Sequence, residues 1–205
     1  MTYRAVLFDL LTALIDSWTL WNDVAGNEAD GRRWRAAYLR RTYGCGDYRP
    51  YETLVAEAAA EADLPAQHPT ELAARWDALA PWPEAPHVLR AIAPGRALGV
   101  VTNCSTALGA RAAARLGIDW SVVVTSEQAG AYKPDPRPYR AALDRLGLAA
   151  AEVLFVAGSG YDLFGTAAVG LPTVWHNRVG LPAPDGAPAP LAMWETLEPL
   201  PGFLT

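Results

Sequence analysis

The sequence predicts an α/β fold: a doubly wound, Rossmann-like parallel sheet with a helical cap inserted after its first strand. Three observations carry that expectation. Short apolar runs alternate with helical patterns over residues 97–176. The stretch between the first apolar run and that alternation is rich in Ala, Glu, Arg and Leu and almost devoid of β-branched runs. Polar residues fit for chemistry recur in order after successive apolar runs, and in an open parallel sheet ligands bind at the carboxyl ends of the strands.

Taken in order, Ala5-Val6-Leu7-Phe8 is a continuous apolar run, the signature of a strand buried on both faces. From about Ser17 to Trp76 the chain reads as several helices, clearest over Arg33 to Tyr43 and Tyr51 to Ala62, with Gly44-Cys45-Gly46-Asp47 as the turn between them. Pro81, Pro83 and Pro86 mark a hinge. Beyond it, Ala97 to Val101 is a strand, Thr106 to Leu116 a helix closed by Gly117, and Ser121 to Val124 a strand. Pro136 to Leu146 is a helix closed by Gly147, Val153 to Val156 a strand, Leu163 to Val169 a short helix, and Pro172 to Trp175 a fifth strand. Such alternation implies right-handed crossovers and a sheet covered on both faces. Gly180 to Pro190, dense in Pro, Ala and Gly, is a surface loop. The expected division is a core of residues 1–15 and 84–205 and a cap of residues 16–83.

Composition narrows the function. With 51% hydrophobic and 19% charged residues in 205, the chain packs a globular core. A net charge of -5 argues against nucleic acid as a partner. The cluster Arg32, Arg33, Arg35, Arg40 and Arg41 reads chiefly as a solvated helix face. Cys45 and Cys104 make neither a disulfide framework nor a zinc or redox spacing. Asp9 interrupts the first apolar run too early for a signal peptide, and no stretch suits a bilayer, so the expected setting is the cytoplasm, away from membranes. His68, His87 and His176 lack metal-like spacing.

Four polar signals stand at the strand ends: Asp9, Thr102-Asn103, Lys133-Pro134-Asp135 and Asp162. Alone, each has an ordinary reading as a turn residue, a helix cap or a solvated lysine. Their order at successive strands is what singles them out. Together Phe8-Asp9-Leu10-Leu11-Thr12-Ala13-Leu14, Val101-Thr102-Asn103, Tyr132-Lys133-Pro134-Asp135 and Val156-Ala157-Gly158-Ser159-Gly160-Tyr161-Asp162 resemble the haloacid dehalogenase-like hydrolase superfamily over essentially the whole chain. That resemblance implies a doubly wound core with a cap inserted early and an aspartate nucleophile, Asp9.

Departures from the phosphatase pattern choose the branch. Where the superfamily's phosphatases carry an acid two residues after the nucleophile, this chain has Leu11. Where they carry one four residues before the Asp162 position, it has Gly158. Phosphoryl transfer needs an acid for the poor leaving group and Mg²⁺ for the phosphoryl charge. Halide leaves as a stable anion and needs neither. Trp34-Arg35, Lys133-Pro134-Asp135-Pro136-Arg137-Pro138-Tyr139, Phe155-Val156 and Leu171 to Arg178 resemble the 2-haloacid dehalogenases.

The resemblance then implies roles. Asp9 displaces halide from C2 of a short 2-haloalkanoate to form an ester, Lys133 balances its charge, and Arg35 receives the halide, with Arg32 and Arg33 as nearby alternatives. Asp162 with Ser159 handles the hydrolytic water, releasing a 2-hydroxy acid. Thr102, Asn103, Leu10, Leu11, Tyr139 and Tyr161 bind the substrate, and Leu14, Leu39 and Tyr51 are further candidates for the apolar lining. No cofactor and no metal is implied, and a homodimer is. Three positions depart from the dehalogenase pattern: Ala13, beside which Thr12 offers a hydroxyl, Ala157 and Ser159. The competing readings are a metal-independent hydrolase of another small electrophilic acid such as a strained ring, a Mg²⁺ phosphatase, and a binding module without turnover. A chelator separates them: it stops a phosphatase, spares a dehalogenase, and a binding module shows neither activity.

Overall fold

The computed structural model describes residues 3–205. Its centre is a six-stranded sheet of β1 (Ala5–Phe8), β4 (Ala97–Thr102), β5 (Val122–Thr125), β6 (Val153–Ala157), β7 (Thr173–His176) and β8 (Met193–Trp194), in the order β5-β4-β1-β6-β7-β8. Every pairing in it is parallel. Alternation along the strands explains why both faces need helices. Val6, Phe8, Val100, Leu154 and Val156 point into one buried apolar cluster, and Ala5, Leu7, Val101, Val153 and Phe155 into another. The second cluster is closed by Tyr139, Ala142 and Leu143 of α8 (Pro136–Leu146) and Leu163 of α9 (Asp162–Ala168).

Between β1 and β4 the chain forms α1 (Ser17–Ala25), α2 (Glu28–Tyr43), α3 (Tyr51–Glu61) and α4 (His68–Ala74). α2 starts five residues earlier than expected because Asn27 caps it, its side chain accepting from Asp30 N. Acidic Glu28 and Asp30 lie in its first turn and Arg40 and Arg41 in its last, which suits the helix dipole. The buried faces of these helices bring Trp21, Trp34, Tyr38 and Tyr51 into the first apolar cluster, continuous with the sheet core, and Trp76 joins them from the short turn after α4. The insertion leaves and returns through a short antiparallel ribbon, β2 (Ile15–Asp16) against β3 (Ala80–Pro81).

The proline-rich stretch departs from expectation. Of the prolines read as a hinge, Pro81 lies in β3 and Pro86 in the first turn of α5 (Ala85–Ile92). A first-turn residue has no intrahelical N–H bond to lose, so proline starts the helix instead of breaking it. α8 keeps the bounds expected of it, capped by Asp135 and stopped by Gly147 in the left-handed region at φ 63°. Two-residue β8 carried no readable period and was not expected. α6 (Thr106–Ala114), α7 (Ser126–Ala129) and α10 (Leu200–Phe203) complete the α-helices of the described residues. No helix among the described residues is long and apolar enough to cross a membrane. Cys45 and Cys104 are free thiols.

Candidate active site

Asp9 is the first residue past β1, and its N–H donates to Val156 O at 3.0 Å, which pins the strand end to β6. The chain then turns back on itself. Thr12 N and Ala13 N donate to Asp9 Oδ2 at 3.1 and 3.2 Å, so the carboxylate is held by the loop it opens. Leu11 O is tied to the Ser17 hydroxyl. Gly158 lies directly behind this loop. A Cβ there would collide with Asp9 Oδ2, Ala13 N and Thr12 Cβ, so the segment after β6 admits only glycine while the Asp9 loop keeps this position.

Lys133 spans the two carboxylates. Its Nζ lies 2.8 Å from Asp9 Oδ1 and 2.9 Å from Asp162 Oδ1, and all three side chains are buried. The lysine is aimed by its backbone. Asn103 Oδ1 accepts Lys133 N at 2.7 Å, and Asn103 Nδ2 donates to Lys133 O at 3.1 Å. Ser126 Oγ steadies that amide at 2.8 Å. Burial works against the Lys133 charge, but the two carboxylates outweigh it and hold its pKa above the usual lysine value. Burial raises the Asp162 carboxyl above the ordinary carboxylate range, Lys133 opposes this, and Asp9 adds repulsion. Asp162 Oδ1 also receives the Tyr139 hydroxyl at 2.8 Å.

A second cation arrives from α2. Arg35 is only 3% exposed; its Nη2 donates to Thr12 Oγ1 at 3.0 Å, and its guanidinium lies 4.4 Å from the centre of the Trp18 ring. Burial lowers its pKa, yet a guanidinium remains charged at neutral pH. Arg32 and Arg33 instead make surface pairs with Glu28 and Asp30, which leaves Arg35 as the arginine facing Asp9.

These groups surround a cavity of about 40 Å³. Asp9, Lys133, Asp162, Arg35, Ser159, Thr102, Asn103, Leu11, Thr12 and Leu39 line it, so most of the residues picked from the sequence converge here. Thr102 Oγ1 and Arg35 Nε are buried without a hydrogen-bond partner. Orphaned donors at a cavity wall favour a ligand that accepts, an anion above all. The charges present are two cations and two carboxylates.

Four sequence-based assignments change. Leu10 is buried in the apolar core, not in the wall, because it points down the turn after β1. Tyr139 stands behind Asp162, its ring packed so closely on Gly165 that no side chain fits there. Tyr161 is 41% exposed and borders a neighbouring apolar hollow with Leu181 and Pro184. Asn103 does line the cavity, but its amide is spent on Lys133 and Ser126. Leu14 and Tyr51 likewise belong to the core. Tyr38 and Tyr43, in contrast, line the cavity without having been singled out. Their signal was available: with Leu39 they follow Arg35 by three, four and eight residues on one helix, hence on one face. Among the described residues no group of three His, Cys, Asp or Glu side chains is placed to hold a metal ion.

Comparisons with known proteins bear on this arrangement. A sequence model of the family described as haloacid dehalogenase-like hydrolase matches residues 3–170. The chain is 36% identical over 123 residues to an (S)-2-haloacid dehalogenase of Pseudomonas sp. (strain YL), covering 58% of this chain and 52% of that protein. It is also 36% identical over 116 residues to a plasmid-borne phosphoglycolate phosphatase of Cupriavidus necator, covering 54% and 49%. The chain thus spans about half the length of the curated relatives it matches. A crystal structure of an L-2-haloacid dehalogenase superposes with a TM-score of 0.86 at 26% identity, over 100% of this chain and 99% of that one.

Proposed function

The chain belongs to the haloacid dehalogenase-like hydrolase family, and on that premise we propose that it converts a short 2-haloalkanoic acid to the 2-hydroxy acid through an ester on Asp9, without a metal ion. One observation carries the choice of branch. The two positions that would supply the phosphatase acids are Leu11, an apolar wall residue, and Gly158, where no side chain fits against Asp9. The Mg²⁺ of the family's phosphatases does not fit this donor set. Asp9 and Asp162 are already bridged by the Lys133 ammonium, and no third acidic ligand is placed among the described residues.

In the proposed reaction the substrate carboxylate takes the unpartnered Thr102 hydroxyl, and the halogen lies toward Arg35. An Asp9 oxygen attacks C2, the C2–O bond forms as the C2–halogen bond breaks, and halide departs with its electron pair. A weakly hydrated halide suits a guanidinium held over an indole. The buried setting of Asp9 strengthens the carboxylate as a nucleophile by removing competing water. Lys133 balances the carboxylates before attack and after the ester is lost. Water then cleaves the ester, with Asp162, raised by burial toward a useful basicity, as the proton acceptor. We also propose that the helices over residues 16–83 serve as a cap that seals the site.

Halide release from chloroacetate and from racemic 2-chloropropionate, measured in chelator, tests this reading. Release by the native chain and none by Asp9→Asn is the expected result. No release, with p-nitrophenyl phosphate cleaved only when Mg²⁺ is added, defeats the reading.

A further inference from the structure

The hydroxyls of Tyr43 and Ser159 lie 3.0 Å apart, and both residues line the Asp9 cavity. One comes from the last turn of α2 and the other from the loop between β6 and α9, so the contact joins the helical insertion to the core. Tyr43 rests face to face on Tyr161, ring centres 4.1 Å apart and planes 21° off parallel, which fixes where the phenol points. Ser159 Oγ also receives Tyr161 N–H at 3.3 Å.

Hydrogen-bond accounting gives this pair a direction. A phenol is the stronger acid and hence the stronger donor, so Tyr43 donates and Ser159 accepts. With Tyr161 N–H on the other lone pair, Ser159 Oγ has no acceptor capacity left. Its own proton remains to be donated, and no protein acceptor takes it among the described residues. The opposite wall offers the complement. Lys133 and Tyr139 both bond to Asp162 Oδ1, which leaves Oδ2 to accept from elsewhere. Burial and the nearby Asp162 charge push the Tyr43 pKa up, so the phenol stays a donor across the neutral range.

Resting on the dehalogenase reading, we propose that Tyr43 is a positioning residue for ester hydrolysis, acting through Ser159 to orient the attacking water. That water accepts the Ser159 proton on one lone pair and gives a hydrogen bond to Asp162 Oδ2. Its other lone pair faces the Asp9 carboxyl carbon. As the new C–O bond forms, one water proton passes to Asp162. The tetrahedral adduct collapses by breaking the bond from the Asp9 carboxyl carbon to the hydroxy-acid oxygen. The departing alkoxide takes the proton back from Asp162, and Asp9 loses the remaining acidic proton to solvent. Halide has already left, so the first half of the reaction does not use Tyr43.

Rapid-quench kinetics with 2-chloropropionate separate the halves. Chloride in the first turnover reports ester formation, and intact mass of the chain reports the ester itself. For Tyr43→Phe the first-turnover chloride rate stays within about twofold of native, while ester hydrolysis slows about tenfold and the adduct accumulates. Ser159→Ala gives the same pattern, and adding Tyr43→Phe to it brings no further loss. Equal slowing of both halves, no slowing of either, or losses that multiply in the double variant would overturn the role of Tyr43 while leaving the dehalogenase reading in place. A native chain that forms no adduct and releases no halide removes that reading and this inference together.

Discussion

Removing one oxygen behind Asp162 shows how the proposed base is tuned. In Tyr139→Phe the ring keeps its bed against Gly165 and Phe155, but Asp162 Oδ1 loses a hydroxyl donor at 2.8 Å. A hydrogen bond to a charged acceptor contributes about 1.5–3 kcal/mol and one to a neutral acceptor about 0.5–1.5 kcal/mol. The ionised carboxylate therefore loses about 1–1.5 kcal/mol more than the protonated acid, which at about 1.36 kcal/mol per pH unit raises the Asp162 pKa by about one unit. That pKa already lies above the usual value through burial. As the proposed base, Asp162 works deprotonated, so kcat should fall as pH drops through its pKa, and the variant's fall should begin about one unit higher. The same change appears in stability. A carboxyl whose folded pKa exceeds its unfolded one weakens the fold above the unfolded value, and acid relieves that penalty. Thermal unfolding should therefore find Tyr139→Phe less stable than native by about 1.5–3 kcal/mol at pH 7 and by less in acid. An unmoved acid limb of kcat, or a loss of stability independent of pH, would refute the assignment of Tyr139 as a support of the Asp162 charge.

Two further outcomes follow from the same geometry. Gly158→Ala places a Cβ against Asp9 Oδ2 and Ala13 N, so the Asp9 loop must shift; the variant should lose about 1–3 kcal/mol of stability in chemical denaturation and most of the proposed halide release. His176 is buried with Nδ1 2.8 Å from Ala13 O, and burial holds its pKa below the free value, although Glu84 nearby opposes this. The His176 contribution to stability should be level above about pH 6.5, where the unfolded histidine is neutral, and fall below it as the unfolded chain takes up the proton first. His176→Asn, which keeps an N–H for Ala13 O, should flatten that fall; an unchanged slope in denaturant melts across pH 5–7 would count against it.

Much of the site was legible because each of its groups is tied to a local signal. Asp9, Thr102, Lys133 and Asp162 follow apolar runs, and a parallel sheet gathers strand ends without further instruction. Arg35 was readable only through resemblance, since Arg32 and Arg33 carry the same charge within three residues. The structure separates them by rotation about α2, which turns Arg35 onto Trp18 and its neighbours onto Glu28 and Asp30. Leu10 and Tyr161 adjoin motif residues in sequence and Tyr139 closes the motif that begins at Lys133, but place in a motif does not say which side of a loop or helix a side chain takes.

By itself the sequence determined the five longer strands, the parallel alternation, the helical block inside it, and the missing acids at positions 11 and 158, because these are matters of period and residue type. Only the tertiary structure decided that Gly158 has no room for a replacement, that Asn103 spends its amide on Lys133, and that Tyr43 meets Ser159 across 116 residues. Those facts depend on distances between segments far apart in the chain, and the pattern within a segment carries no measure of such distances.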